Sequence, residues 1–156
     1  MMALQYVTYS AEELEEVRTI FIEYANFLEV DLCFQNFEEE LNNLHKVYSP
    51  PTGCIILAKD KSQETMGCIA VKPNKEGFCE MKRLYVRDTF RGQKIGRKLA
   101  EESIKFAKEA GYLGMKLDTV LKLKEAIGLY RSLGFVETKP YIFNPLEEVL
   151  YFELVF

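Results

Sequence analysis

The sequence predicts a mixed α/β domain built on a mostly antiparallel sheet, and three observations carry that expectation. Apolar residues alternate in some stretches and recur every three or four positions in others, which separates strands from helices. Their order reads strand, two helices, three strands, helix, strand, helix, two strands, so the sheet must contain a parallel crossover near its middle. At 156 residues the chain has the length of one domain, and residues 1–156 are read as a single unit.

Leu4 to Tyr9 alternates as a strand. Ser10 and Glu13 form a capping box for a helix whose apolar stripe is Leu14, Val17, Phe21, Tyr24 and Leu28. Asn36 and Glu39 repeat that signal ahead of Phe37, Leu41, Leu44 and Tyr48, a second amphipathic helix stopped by Ser49-Pro50-Pro51. Cys54 to Ala58, Met66 to Val71 and Phe78 to Val86 are β-rich runs between polar turns, the pattern of a meander. A long helix follows, with Ile95, Leu99, Ser103, Phe106 and Ala110 on one face, and Gly111 ends it. Gly114 to Thr119 reads as a strand, and Leu123, Ala126, Ile127, Tyr130 and Leu133 mark a helix closed by Gly134. Phe135 to Phe143 and Val149 to Val155 complete the set as strands hinged at Asn144-Pro145.

The net charge of -4 argues against general nucleic-acid binding. Apolar runs of only a few residues, and a start at Met1 to Tyr9 without export-signal features, point away from membranes and to the cytoplasm. Cys33, Cys54, Cys68 and Cys79 are spread out, with no C-x-x-C pair and a single histidine, His45, so they read as buried thiols and no metal site is expected.

Charge is concentrated locally instead. Between Arg87 and Lys98 the chain places two glycines and five basic residues where a strand runs into a helix. The first turn of a helix has unpartnered N–H groups and the positive end of the dipole, so it favours an anion, most often phosphate. Gly92 and Gly96 permit close approach, and Arg91, Lys94 and Arg97 add full charges, which suits a diphosphate better than a carboxylate. Dipole stabilisation of about 0.3 to 1 kcal/mol is too little to define a ligand, so further contacts along it are required. The stretch lacks the G-K-[ST] of a Walker loop and the three glycines of a dinucleotide fingerprint.

Arg91-Gly92-Gln93-Lys94-Ile95-Gly96 resembles the Q/R-x-x-G-x-G/A loop of the GNAT superfamily of N-acetyltransferases, with Lys94 in place of the usual glycine at the fourth position. EMKRLYV before the loop, KEAIGLYRSLGF after it and the order of elements extend the likeness over nearly the whole chain. The resemblance implies the GNAT fold: a twisted, mixed, mostly antiparallel sheet of about seven strands with about four flanking helices and a splayed V between strands 4 and 5. It also implies acetyl-CoA as cofactor. Its pyrophosphate would sit on Arg91, Gly92, Gln93, Lys94, Ile95, Gly96 and Arg97, and its pantetheine arm would pair with Leu84, Tyr85 and Val86.

The residues around Lys82 speak to the V directly. Apolar side chains occupy odd positions up to Met81 and even positions from Leu84, a change of parity that places a β-bulge near Lys82 or Arg83. The resemblance implies that a backbone N–H there, that of Leu84, polarises the thioester carbonyl. It designates Glu80 as the base that takes the amine proton and Tyr130 as the acid that protonates the departing thiolate. The bland alternatives are a glutamate paired with a neighbouring cation and a tyrosine packed in the core with Ala126, Ile127 and Leu133.

The expected activity is transfer of an acetyl group from acetyl-CoA to the amine of a small molecule or peptide by direct attack in a ternary complex, without an acyl-enzyme. A non-catalytic acyl-CoA-binding sensor is the alternative. Acceptor choice is expected from Phe27 to Tyr48 and Tyr141 to Leu150; Asp31, Glu38, Glu39 and Glu40 could attract a cationic amine, or simply serve the helix dipole. The aromatic C-terminal strand is expected to fill the sheet, with pairing across a homodimer as the alternative.

Overall fold

The computed structural model describes residues 2–29, 36–142 and 148–156. Strands β1 (Met2–Tyr6), β2 (Cys54–Asp60), β3 (Thr65–Pro73), β4 (Phe78–Val86), β5 (Gly114–Val120), β6 (Val136–Glu137) and β7 (Val149–Val155) form one sheet, ordered β1-β2-β3-β4-β5-β7-β6. Every pairing is antiparallel except that of β4 with β5. That one parallel contact is the crossover the element order demanded, and the connection through it carries the basic loop and the long helix.

Helices α1 (Ala11–Leu28), α2 (Phe37–Asn42) and α3 (Leu44–Val47) lie on one face, and α4 (Ile95–Glu109) and α5 (Lys124–Ser132) on the other. The strict alternation of β2 feeds both cores. Ile55 and Leu57 pack with Val17, Ile20, Phe21, Leu44 and Tyr48, while Cys54, Ile56 and Ala58 pack with Leu99, Ala100 and Ala107. Cys54, Cys68 and Cys79 are buried free thiols, as their apolar settings required, whereas Asp31, Cys33 and Asn144-Pro145 lie outside the described residues.

Ser10 caps α1 by accepting the Glu13 N–H at 3.2 Å, and the Glu13 carboxylate accepts the Thr8 N–H at 3.1 Å. The second expected capping box does not form. Asn36 adopts a left-handed conformation and its side chain makes no cap bond; the expected single helix is split at Asn43, whose side-chain amide donates to the Glu39 carbonyl at 2.9 Å. A local side-chain bond of this kind competes with the helix ladder. The strand expected over Phe135 to Phe143 contracts to β6; one more ladder bond, Thr138 N–H to Tyr151 O at 2.8 Å, precedes Pro140, which has no N–H to give.

β4 and β5 are in register only over Phe78–Gly114, Cys79–Met115 and Glu80–Lys116. Beyond Glu80 the two strands part, although β4 stays paired to β3 as far as Val86 and β5 to β7 as far as Val120. The wedge between them is the splayed V. Its cause is a bulge: Cys68 opposes Tyr85 and Ala70 opposes Lys82, so Ile69 faces two residues, Arg83 and Leu84. Arg83 takes φ 63°, a left-handed conformation that costs a residue with a Cβ about 1 to 2 kcal/mol.

What offsets that cost is packed beneath it. The Arg83 guanidinium is buried and donates from Nε and an Nη to the two oxygens of Glu40 at 3.1 and 2.7 Å, while the Tyr48 hydroxyl donates to the same carboxylate at 2.9 Å. The Phe37 ring lies under the guanidinium at 5.2 Å, and the Cys68 thiol donates to the Arg83 carbonyl at 3.2 Å. Glu40, in the first turn of α2, is therefore turned from solvent and holds the bulge. Glu40→Ala leaves the guanidinium buried without this carboxylate, and is expected to lower the unfolding free energy by about 3 to 5 kcal/mol in urea titrations. A loss below about 1 kcal/mol would show that the pair is dispensable.

Candidate active site

The V opens into a cleft of about 660 Å³. One wall is the end of β4, where Leu84, Tyr85 and Val86 present the strand edge that β5 has left unpaired. The floor is the basic loop and the first turn of α4: Phe90, Arg91, Gly92, Lys94, Ile95 and Gly96. The facing wall comes from the start of α5 through Lys122, Leu123, Lys124, Glu125, Ala126 and Leu129, and Tyr24 and Phe27 of α1 form a lip. Tyr24 and Phe27 rest on the Tyr85 ring at 5.9 and 5.6 Å, which fixes the end of α1 over the strand.

Of the residues singled out for the cofactor, Leu84, Tyr85, Val86, Arg91, Gly92, Lys94, Ile95 and Gly96 line this one cleft, and Gln93 and Arg97 do not. Gln93 points to solvent, and Arg97 is engaged on the flank of α4 by the Ser132 hydroxyl and by Glu101 at 3.7 Å. Arg91 is held across the floor, with Nε on the Val86 carbonyl at 3.1 Å, an Nη on Asp88 at 2.9 Å and its guanidinium over the Phe27 ring at 4.5 Å. Arg87, by contrast, is spent on a bidentate pair with Glu23 at 2.8 and 2.6 Å and lies outside the cleft.

Lys94 is the N-cap of α4 and sits at φ 61°, so the position that the motif gives to glycine keeps the glycine-like backbone despite its side chain. Gly92 is likewise left-handed at φ 85°. At Gly96 the need is different. A Cβ would meet only Val86 Cγ2 at 3.7 Å and Leu129 Cδ2 at 3.9 Å, ordinary contacts, so the fold tolerates a Cβ at a position that lines the cleft. Lys122 and Lys124, which the sequence reading passed over, add two cations opposite Arg91 and Lys94. Their signal was available: a strand ending in a basic turn that opens another helix.

Glu80 lies beside the last β4–β5 pair and is 3% exposed. Its carboxylate accepts the Tyr141 hydroxyl at 3.0 Å and has Lys82 Nζ at 3.6 Å, so the glutamate is paired on the sheet face rather than lining the cleft. Burial pushes the Tyr141 phenol up, Glu80 and Asp118 adding to the rise, and burial pulls the Lys82 ammonium down against the pull of Glu80. Asp118, on β5 opposite Tyr151, was not anticipated; its charge reaches Tyr24, Tyr130, Tyr141 and Tyr151. Tyr130 is 6% exposed, set edge-on to Phe135 at 5.9 Å and tilted on Phe152 at 6.3 Å. Burial raises its phenol, with Tyr24 and Asp118 contributing. Tyr130 is thus packed in the core beside Phe135 and Phe152 and does not line the cleft. His45 stacks on Tyr9 at 4.5 Å, away from the cleft.

A sheet splayed by a bulge, with a basic helix start at the foot of the gap, defines a fold shared with known enzymes. The chain belongs to the acetyltransferase (GNAT) family, whose model matches residues 14–135, and is therefore an acyltransferase. It is similar to an uncharacterised N-acetyltransferase of Schizosaccharomyces pombe, 42% identical over 92% of this chain and 88% of that one. Among solved structures, a GNAT acetyltransferase from Staphylococcus aureus Mu50 superposes with a TM-score of 0.79 at 24% identity, covering 97% of this chain and 98% of that one. The spermidine N-acetyltransferase of Vibrio cholerae, solved with CoA and spermine, gives 0.72 at 14% identity over 99% and 95%. No helix among the described residues is long and apolar enough to cross a membrane.

Because the left-handed backbone at Lys94 strains a Cβ-bearing residue, Lys94→Gly is expected to raise the unfolding free energy by up to about 1 kcal/mol, read as a higher melting temperature. A lower melting temperature would mean that the lysine side chain stabilises the loop by contacts that outweigh the strain.

Proposed function

We propose that the chain transfers the acetyl group of acetyl-CoA to a primary amine of a small molecule or peptide, by direct attack within a ternary complex. The observation that carries this reading is the continuity of one cleft from the unpaired β4 edge to the left-handed loop at the start of α4. An extended amide-bearing chain that ends in a polyphosphate matches both ends at once. The strand edge offers backbone bonding, and Arg91, Lys94, Lys122 and Lys124 offer charge. Acetyl-CoA supplies an activated acyl group on a good leaving group; the protein supplies orientation and proton handling.

The Leu84 N–H, first after the bulge residue, donates to the carbonyl oxygen as it gains negative charge. Glu80 accepts the proton released by the attacking nitrogen, directly or through water, from the sheet face next to the bulge. Its bonds to Tyr141 and Lys82 keep the carboxylate oriented. Tyr130 offers its hydroxyl to the departing thiolate. The buried thiols do not serve as nucleophiles: burial pushes Cys54 and Cys79 up to about 12 and Cys68 up as well, so thiolate is scarce near neutral pH. Spermine bound to the Vibrio cholerae enzyme favours including aliphatic polyamines among the acceptors tried.

Calorimetry with acetyl-CoA is expected to show saturable binding, and Gly96→Ala, whose Cβ makes only ordinary contacts in the fold but stands on the cleft lining, is expected to weaken it without lowering the melting temperature. Release of CoA thiol against a panel of amines, polyamines, amino acids and peptides then separates an enzyme from a sensor, which would bind without releasing thiol. Glu80→Gln is expected to lower kcat about a hundredfold with little change in the KM for acetyl-CoA. The loss should be steepest where the acceptor is mostly ammonium. An equal pH-rate profile for both forms would remove Glu80 from the proton path.

A further inference from the structure

Tyr24 belongs to the apolar stripe of α1, where a phenylalanine would fill the same space. Its ring packs on Tyr85, and it borders the cleft beside Leu84 and Tyr85. Among the described residues its hydroxyl makes no hydrogen bond, yet no buried side-chain oxygen lacks a partner, so that hydroxyl is open to the V. The Tyr130 hydroxyl likewise makes no hydrogen bond among the described residues, but Tyr130 does not line the cleft. Two phenols without a hydrogen bond among the described residues, one from α1 and one from α5, thus lie near enough for Tyr24 to raise the Tyr130 phenol.

Their electrostatic settings differ. Burial pushes the Tyr24 phenol up to about 12, with the Arg83 guanidinium pulling it back down and Asp118 and Glu40 adding to the rise. For Tyr130 burial, Tyr24 and Asp118 all push upward. The bulge cation is therefore near Tyr24, where it favours a transient phenolate. Of the two hydroxyls, the one bordering the cleft is also the one with a cation at hand.

We propose that Tyr24 is a second catalytic acid of this site, giving its proton to the thiolate that leaves when the acceptor amine displaces it. The inference rests on the acetyl-transfer reading above. The new C–N bond forms as the C–S bond breaks; the C–S electron pair stays on sulfur, which takes the proton from Tyr24 Oη. The proton shed by nitrogen passes to Glu80, and the Tyr24 phenolate, held meanwhile beside Arg83, regains a proton from solvent. The sum is amine plus thioester to amide plus thiol, with no other reactant. Tyr130 is the slower donor that remains when Tyr24 is removed.

The test measures CoA thiol release from acetyl-CoA by the wild-type chain, Tyr24→Phe, Tyr130→Phe and the double variant. It is run with the best acceptor from the amine panel and, independently, with water as the only acceptor. Because the Tyr24 hydroxyl makes no hydrogen bond among the described residues, Tyr24→Phe should keep the melting temperature and the KM for acetyl-CoA, and lose at least about tenfold in kcat. The double variant should fall further, and 3-fluorotyrosine at position 24, equal in shape and a stronger acid, should restore turnover. The proposal is overturned if Tyr24→Phe keeps kcat within about twofold, if its loss lies wholly in KM, or if fluorotyrosine does no better than phenylalanine. Failure of the wild-type chain to bind acetyl-CoA in calorimetry would instead remove the acetyl-transfer reading itself.

Discussion

Everything functional in this chain depends on β4 being unable to follow β5 past Glu80. A sheet left to itself would zip the two strands to their ends, since each unpaired N–H and C=O along an edge forgoes a ladder bond. The extra residue at Arg83 prevents this by turning the second half of β4 away, and it persists because the left-handed backbone is anchored from below. The anchor is an ion pair between Arg83 and Glu40, with Tyr48 on the same carboxylate. A buried pair of this kind is weak evidence for stability as such, but its breakage is costly, which suits a device whose task is to hold one geometry.

The bulge also decides which way side chains face. Lys82 and Arg83 are consecutive, and ahead of the bulge Cys79 and Met81 face α4 and α5, while after it Leu84 and Val86 do so. Glu80 and Lys82 are thereby left on the sheet face away from α4, and Tyr141 reaches Glu80 there. The Glu80–Tyr141–Lys82 group and the unpaired backbone edge are neighbours because a single inserted residue separates them along the strand. Arg83 joins the two halves of the site: its backbone opens the V, and its charge reaches Tyr24 at the mouth.

Charge in the cleft is arranged rather than merely abundant. The chain carries a net charge of -4, yet Arg91, Lys94, Lys122 and Lys124 converge on the cleft from two helix starts. Arg87 and Arg97, equally basic in the sequence, are neutralised by Glu23 and Glu101 and face elsewhere. Glu125 lines the same cleft and Asp88 pairs with Arg91 there, so the four cations outnumber the acids locally while the whole protein stays acidic.

Much of this was legible from local pattern, because periodicity, capping and parity are properties of neighbouring residues. The seven strands, the parallel crossover, the bulge at Lys82–Arg83 and the basic loop each have a signature within a dozen positions, and β7 appears over the very residues its alternation marked. The split of the second helix at Asn43 and the shortness of β6 escaped that reading, since side-chain competition and partner availability outweighed propensity there. What only the tertiary structure decided were the meetings of distant residues: Glu40 with Arg83 across 43 positions, Tyr141 with Glu80 across 61, and Tyr24 with the cleft. No local rule specifies these, because a buried charge or an unpartnered hydroxyl acquires its meaning from whatever the packed chain brings within a few ångströms of it.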